Sequence, residues 1–230
     1  MRILLVGYGR MGQLVGQLAG QYECEVAGIV DPLSPSHTAN IDDARWKNSV
    51  DVAIDFSLPD AVPVNLPALA RLGLNVVVGT TGWARHEAAL RAAVEQADIG
   101  VVAAPNCSAG VVMFEAIVAR AAVLAASQAE FGAWLHEAHH VMKKDAPSGT
   151  AILLKGAMER AGYSRPIDVS STRAGHIPGT HTIGFDGPAE SITLSHTARD
   201  RSAFARGALQ AARWVKGRRG WFTMHDVLGL

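Results

Sequence analysis

The sequence has little that would commit it to a disulfide framework, a polyanion or a lipid bilayer. Only two cysteines, Cys24 and Cys107, occur in 230 residues. They are too far apart for a C-x-x-C redox pair or a zinc-ligand spacing, so a reducing compartment is expected. Charge of one sign is not in surplus: Lys plus Arg and Asp plus Glu number 21 each. A nucleic-acid or anionic-membrane partner is therefore not expected. Long apolar runs are missing as well. One basic residue and Ile3-Leu4-Leu5-Val6 precede the first glycine, too short a stretch for a signal peptide. The most apolar later segment, 111–126, contains Glu115 and Arg120, which hydrocarbon would penalise, so it reads as a buried helix rather than a span. A cytosolic, folded protein is the expectation, in keeping with 49% apolar and 18% charged residues.

Short β-branched runs alternate with alanine-rich helical stretches through the first half, the sign of a parallel sheet wrapped by helices. Strands are expected at 2–6, 25–30, 51–56, 75–78 and 100–104, and helices at 11–19, 84–96 and 108–126. Ile3-Leu4-Leu5-Val6 and Val76-Val77-Val78 lack period-two alternation, as strands covered on both faces do. Pro63 and Pro67 predict a short or kinked helix in 60–72. After about residue 128 the pattern changes to a strand at 131–138, a polar loop, a helix from Thr150 and three β-like stretches near Asp168, Thr182 and Ser191. That order suits an open mixed sheet with helices on one face. Residues 203–215 return to helical spacing, with Phe204, Ala208, Leu209, Ala212 and Val215 along one face. The domains expected are 1–107, completed by 203–230, and 108–202.

The first strand runs into Gly7-Tyr8-Gly9-Arg10-Met11-Gly12, a G-x-G-x-x-G between a strand and a helix. There the glycines allow a tight turn and close backbone approach, and the helix start points N–H groups at a pyrophosphate. Asp31 follows 19 residues after Gly12 at the end of the second strand, placed to accept from a ribose 2′-hydroxyl. The fold class is thus α/β, an N-terminal Rossmann-type parallel sheet plus a smaller α+β domain with an open mixed sheet. The cofactor is NADH or NADPH. NADH is favoured, because a carboxylate at Asp31 repels a 2′-phosphate and Pro32 stands where an arginine would offset it. Gly79-Thr80-Thr81-Gly82 and Ala104-Pro105-Asn106-Cys107-Ser108 sit at carboxyl ends of predicted strands, where open α/β sheets bind ligands. Turn chemistry alone is the competing reading of each.

The densest set of titratable groups is His136-Glu137-Ala138-His139-His140, followed by Lys143, Asp145 and Pro147-Ser148-Gly149-Thr150. Ser148 or Thr150 can cap the helix that follows, and amides around Gly149 would face a carboxylate. Lys143 adds a mobile cation and a proton donor. His139 and His140 are neighbours, so on an extended backbone they point to opposite faces and do not share one role. No metal is expected, because adjacent histidines rarely converge on one ion. Arg173 and His181 are secondary candidates.

Glu137-Ala138-His139-His140 with Lys143, Asp145 and Pro147-Ser148-Gly149-Thr150-Ala151 resembles the signature of the 4-hydroxy-tetrahydrodipicolinate reductase family of lysine and diaminopimelate biosynthesis. The likeness continues through Gly9-Arg10-Met11-Gly12, Asp55-Phe56-Ser57, 79–82, 104–108, Arg173, His181 and 204–209. It implies a homotetramer, a nicotinamide dinucleotide and a cyclic imine dicarboxylate substrate. It also implies His139 as general acid or base, Lys143 as proton donor, and His140, Gly149 and Thr150 as holders of the substrate carboxylates. Gly7, Tyr8, Gly9, Arg10, Met11, Gly12, Asp31, Gly79, Thr80, Thr81, Ala104, Pro105, Asn106 and Cys107 would hold the dinucleotide. The chain departs from the family pattern in a fingerprint one residue shorter than in many members, a short 31–51 segment, Cys107 in place of an aromatic and Val112 in place of asparagine. The rival readings are a related imine reductase or aspartate dehydrogenase, and a non-enzymatic dinucleotide sensor, which would have no need of a carboxylate cradle.

Overall fold

The continuous Val, Ile and Leu runs of the first half become strands with no solvent-facing side. In the computed structural model, which describes every residue except Pro35, Thr38 and Ala39, the chain divides into two units, Met1–Ala109 with Arg201–Leu230, and Gly110–Asp200. The strands are β1 (Arg2–Val6), β2 (Glu25–Val30), β3 (Val52–Asp55), β4 (Asn75–Val78), β5 (Gly100–Ala103), β6 (Gly132–His139), β7 (Ile167–Arg173), β8 (Thr180–Asp186), β9 (Ser191–Thr197) and β10 (Gly220–Phe222). The helices are α1 (Arg10–Leu18), α2 (Val62–Arg71), α3 (Glu87–Ala97), α4 (Ala109–Ala126), α5 (Gly149–Arg160), α6 (Ser202–Val215) and α7 (Met224–Leu228).

The first unit is built on a six-stranded sheet in the order β10-β5-β4-β3-β1-β2, with every pairing parallel. All side chains of β3 and β4 are buried, as helices on both faces require. The order reverses between β1 and β3, so the loops leaving those strands flank the switch point at which such sheets bind ligands. α2 is unbroken although Pro67 lies inside it. Pro63 falls in the first turn, where no N–H donor is needed, and Pro67 removes a single bond from a ten-residue helix. The 84–96 stretch divides into a 3-10 turn at Ala84–His86 and then α3.

α6 presents Ala205, Gly207, Ala208, Ala211 and Ala212 as a buried small-residue face and packs against α1 and the sheet. At Gly207 the approach is so close that a Cβ would stand 1.7 Å from the Cys107 carbonyl oxygen. Beyond it, the Asn75 side chain donates to the Val215 and Arg218 carbonyls and accepts from the Gly100 N–H, tying the last residues to β4 and β5. β10 and α7 are the elements the sequence reading does not anticipate, because three and five residues are too few to carry a period.

The second unit is an open sheet in the order β7-β6-β8-β9, with β6 and β7 parallel and the other pairs antiparallel. Its core joins Phe114, Val118 and Ala122 of α4, Leu154 and Met158 of α5, and Leu135, Ile183 and Phe185 of the sheet. By length and composition α4 could cross a membrane, with mean hydropathy 1.9. Here it buries one side in this core and pairs its buried Glu115 with Arg160 at 3.2 Å. β6 alternates strictly, Ala133, Leu135, Glu137 and His139 being its buried positions, so two titratable groups continue the line of apolar side chains.

Candidate active site

In the first unit the fingerprint glycines are dictated by contact. Gly7 has φ +83, and a Cβ there would lie 2.5 Å from the Phe56 carbonyl oxygen. A Cβ on Gly12 would lie 2.1 Å from the Gly7 carbonyl oxygen. Gly9 is different: a Cβ there would meet nothing within 4 Å among the described residues, leaving space before the start of α1 where a phosphate can approach. Asp31 accepts from the Tyr8 N–H at 2.7 Å and the Leu33 N–H at 2.9 Å, bracing the turn against the end of β2. Each oxygen retains a lone pair for a ribose hydroxyl. Arg10 is exposed and Met11 half-buried.

Asp55, 1% exposed, joins the neighbouring loops. It accepts from the Ser57 N–H and hydroxyl at 2.8 and 2.6 Å, the Thr80 hydroxyl at 3.0 Å and the Asn65 amide at 3.0 Å. The Thr80 hydroxyl and carbonyl are therefore engaged, the carbonyl by Trp83 Nε1 at 2.8 Å, while Thr81 is exposed. The Phe56 ring fills the place a Gly79 Cβ would need, 2.2 Å away. Ala104 is buried, Pro105 exposed, and Asn106 caps its own turn by accepting from the Ser108 N–H at 3.0 Å. Cys107 is 2% exposed, burial pushes its thiol up to about 12, and the thiol lies against the Ala104 carbonyl. The open approach at Gly9, the helix start and the remaining acceptors of Asp31 fit a dinucleotide.

In the second unit the site forms where β6 ends. Strand register sets Ser171 and His181 opposite Glu137, and Arg173 opposite His139. Glu137 is completely buried. Its Oε2 receives His139 Nδ1 and, at 2.9 Å, Arg173 Nη1. Its Oε1 receives Arg173 Nη2 at 2.7 Å and the Ser148 N–H at 3.2 Å. Ser148 caps α5, accepting from the Ala151 N–H at 3.1 Å, and its hydroxyl meets His181 Nε2 at 2.9 Å. The His139 and His181 rings stand edge to face at 5.1 Å.

The loop between these elements carries the cation. Lys143 Nζ pairs with Asp145 at 2.9 Å, and the Lys143 N–H bonds the carbonyl of half-buried His140 at 3.1 Å. Arg173 reaches the Asp145 carbonyl at 2.5 Å. Gly149 is exposed and Thr150 half-buried at the first turn of α5, where amides favour an anion.

Burial alone would raise the Glu137 carboxyl, but Arg173, Ser171 and His139 outweigh it and hold it at about 2. Desolvation lowers His139 below the ordinary histidine value. Glu137 opposes that shift, and the Lys143 and Arg173 charges add to it. His181 falls to about 4, mainly from burial and next from the neighbouring His139. The Asp145 carboxyl is lowered first by Lys143, with the Gly149 N–H among the further causes. Glu137, His139 and His181 offer ligand atoms within 4.8 Å of one another. The guanidinium already bound to both Glu137 oxygens makes this donor set a poor match for a metal cation.

His139, Lys143, Gly149 and Thr150 thus come to one end of the second unit. Arg173 and His181, secondary in the sequence, are central to it, and Glu137 had no role assigned. Its signal was a carboxylate at an inward position of an alternating strand.

Two family descriptions match the chain: dihydrodipicolinate reductase, N-terminus, over residues 1–107, and dihydrodipicolinate reductase, C-terminus, over residues 110–228. The chain belongs to the dihydrodipicolinate reductase family. Relatives named 4-hydroxy-tetrahydrodipicolinate reductase include one from Christiangramia forsetii, 34% identical with 99% of this chain and 98% of that protein covered. Another, from Methanoregula boonei, is 37% identical with 96% and 95% covered. Among solved structures, a dipicolinate-bound dihydrodipicolinate reductase from Paenisporosarcina sp. TG-14 shares the fold at TM-score 0.85 and 21% identity, with 98% of each chain covered. The family's two parts meet at residues 107–110, where α4 begins.

Proposed function

We propose that this chain reduces 4-hydroxy-tetrahydrodipicolinate to tetrahydrodipicolinate with NAD(P)H and loss of water, a step of lysine and diaminopimelate biosynthesis. The observation that carries this reading is the gathering of His139, Lys143 and the start of α5 in a chain both of whose parts match the reductase family.

The substrate is a ring with two carboxylates, an imine and a hydroxyl at C4. Residues 7–12 and Asp31 would hold a reduced nicotinamide dinucleotide, which when bound would supply the hydride for C4 as water is lost and electrons pass toward the ring nitrogen. The protein's own residues hold the ring and handle the accompanying proton. Gly149 and Thr150, at the start of α5, take one carboxylate through backbone N–H groups and the Thr150 hydroxyl, and His140 takes the other. Lys143, kept near by Asp145 in the free protein, exchanges that partner for the substrate and donates a proton. His139, lowered by burial, is neutral at pH 7 and presents Nε2 as the proton-exchanging atom. The balance is one hydride and one proton taken up and one water released.

NADH is the preferred donor in this reading, because a 2′-phosphate would meet the Asp31 carboxylate that holds the Tyr8 N–H. The assembly is a homotetramer formed through the face of the second sheet away from α4 and α5, where Trp134, His136, Thr182 and Ser195 are half-buried or exposed. The reaction belongs in the cytosol. The test follows NADH and NADPH absorbance separately in a coupled assay with freshly made dihydrodipicolinate synthase product. Oxidation with a higher kcat/KM for NADH is the expected result. Silence with that substrate, together with NAD reduction by aspartate, would reassign the chain to an aspartate dehydrogenase.

A further inference from the structure

A carboxylate with no solvent exposure has to be surrounded by donors to persist as an anion. Around Glu137 the donors come from three separate segments: Arg173 and Ser171 on β7, His139 on β6, and the Ser148 backbone ahead of α5. A buried ion pair by itself is weak evidence for a stabilising role, since apolar replacements of similar volume often serve as well. What distinguishes Glu137 is the division of labour between its oxygens. Oε2 holds the ring of His139 and Oε1 holds the amide of the residue that caps the anion-binding helix.

We propose that Glu137 is a positioning residue for the reduction, fixing His139 with its proton on Nδ1 and its Nε2 free for chemistry, while holding Ser148 so that the start of α5 keeps its place beside that ring. This rests on the reading of His139 as the proton-handling group. A neutral imidazole has one donor and one acceptor nitrogen, and the partner of the first decides which is which. The acceptor-only carboxylate of Glu137 leaves Nδ1 no choice but to donate. Arg173 complements this arrangement, since by neutralising Glu137 it keeps the carboxylate from drawing a second proton onto the ring. On the other side of the ring, Gly179 has φ +138, and a Cβ there would sit 3.1 Å from His139 Nε2. Glycine keeps that nitrogen clear.

The groups facing this ring from every packed element are Glu137 on its own strand, Arg173 on β7, His181 on β8 and Lys143 in the following loop. Glu137→Gln therefore changes the only negative member of the set. Turned so that its oxygen keeps both Arg173 Nη2 and the Ser148 N–H, the amide places its nitrogen at Nδ1 and donates to it, so the ring takes the Nε2–H form.

The experiment is ¹⁵N–¹H correlation of the full-length protein labelled in histidine, above pH 7, with the His139 resonances assigned by their loss in His139→Asn. Wild type is expected to show the Nδ1–H tautomer and Glu137→Gln the Nε2–H tautomer. In the same variant kcat is expected to fall on the order of a hundredfold or more, KM for NADH to stay within about twofold, and the acidic limb of the kcat/KM profile to move to lower pH. An Nε2–H ring in wild type would overturn the proposal, even if the variant does not fold. A slower Glu137→Gln enzyme with unchanged tautomer and unmoved limb would also overturn it, since a structural role alone would do the same. A wild-type Nδ1–H ring in a protein that does not turn over the proposed substrate would sink the assigned reaction while leaving the His139–Glu137 geometry standing.

Discussion

Two neutral, buried rings make single residues of the second unit sensitive to acid. His181 is 4% exposed and lowered to about 4, against 6.5 in an unfolded chain. Because the unfolded form takes the proton first, its effect is absent above pH 6.5 and stability is lost as pH falls from there to about 4. The limit is about 3 kcal/mol at the low end. Glu137, lowered from 4.5 to about 2, acts in a second window: its stabilisation is present above 4.5 and is lost as pH falls toward 2. Urea midpoints measured between pH 7.5 and 4.5 should therefore decline, and His181→Gln should flatten that decline. At the same scale, His139→Ala is expected to lower kcat about a hundredfold to ten-thousandfold, with Lys143→Ala at least as harmful, both read from steady-state oxidation of NADH. Gly207→Ala forces a methyl onto a carbonyl and should lower stability by about 3 kcal/mol, visible as a reduced melting temperature. The glycines, His139 and Lys143 were legible because each lies in a short local pattern. The Glu137–Arg173 pair was not, since the partners are 36 residues apart and meet only through the parallel register of β6 and β7.

Among the elements, β6 and α5 carry the site, and they do so by ordinary local rules. Strict alternation brings Glu137 and His139 to the buried side of β6, and Ser148 starts α5 with its own hydroxyl. Ser148→Ala removes that cap and the contact to His181 while retaining the N–H that Glu137 holds. The expected result is a loss of about 1 kcal/mol in unfolding experiments and a raised KM for the dicarboxylate, with kcat changed less. The alternating βα pattern of the first half and the mixed sheet of the second were readable from residue type and spacing. Where prediction faltered, an element was short or held by distant partners. α2 tolerates Pro67 because its buried face of Val62, Leu66 and Leu69 packs into the core, a tertiary gain that outweighs one missing bond. β10 exists because Gly100 leaves room for the Arg218 backbone, within 2.5 Å of where its Cβ would be, and nothing in residues 220–222 announces that neighbour.

For the molecule as a whole, the path of the chain has a consequence for how it is made. The parallel sheet of the first unit opens with β1 at residue 2 and closes with β10 at residue 222, and the whole of Gly110–Asp200 is threaded between. Removing residues 220–230 should therefore abolish NAD(P)H binding, measured by quenching of tryptophan fluorescence, although every fingerprint residue is still present. On a ribosome the 7–12 loop emerges well before β10. The sheet beneath that loop stays unfinished until β10 has been made, so the later-made insertion has every partner it needs first and ripens before the segment that precedes it.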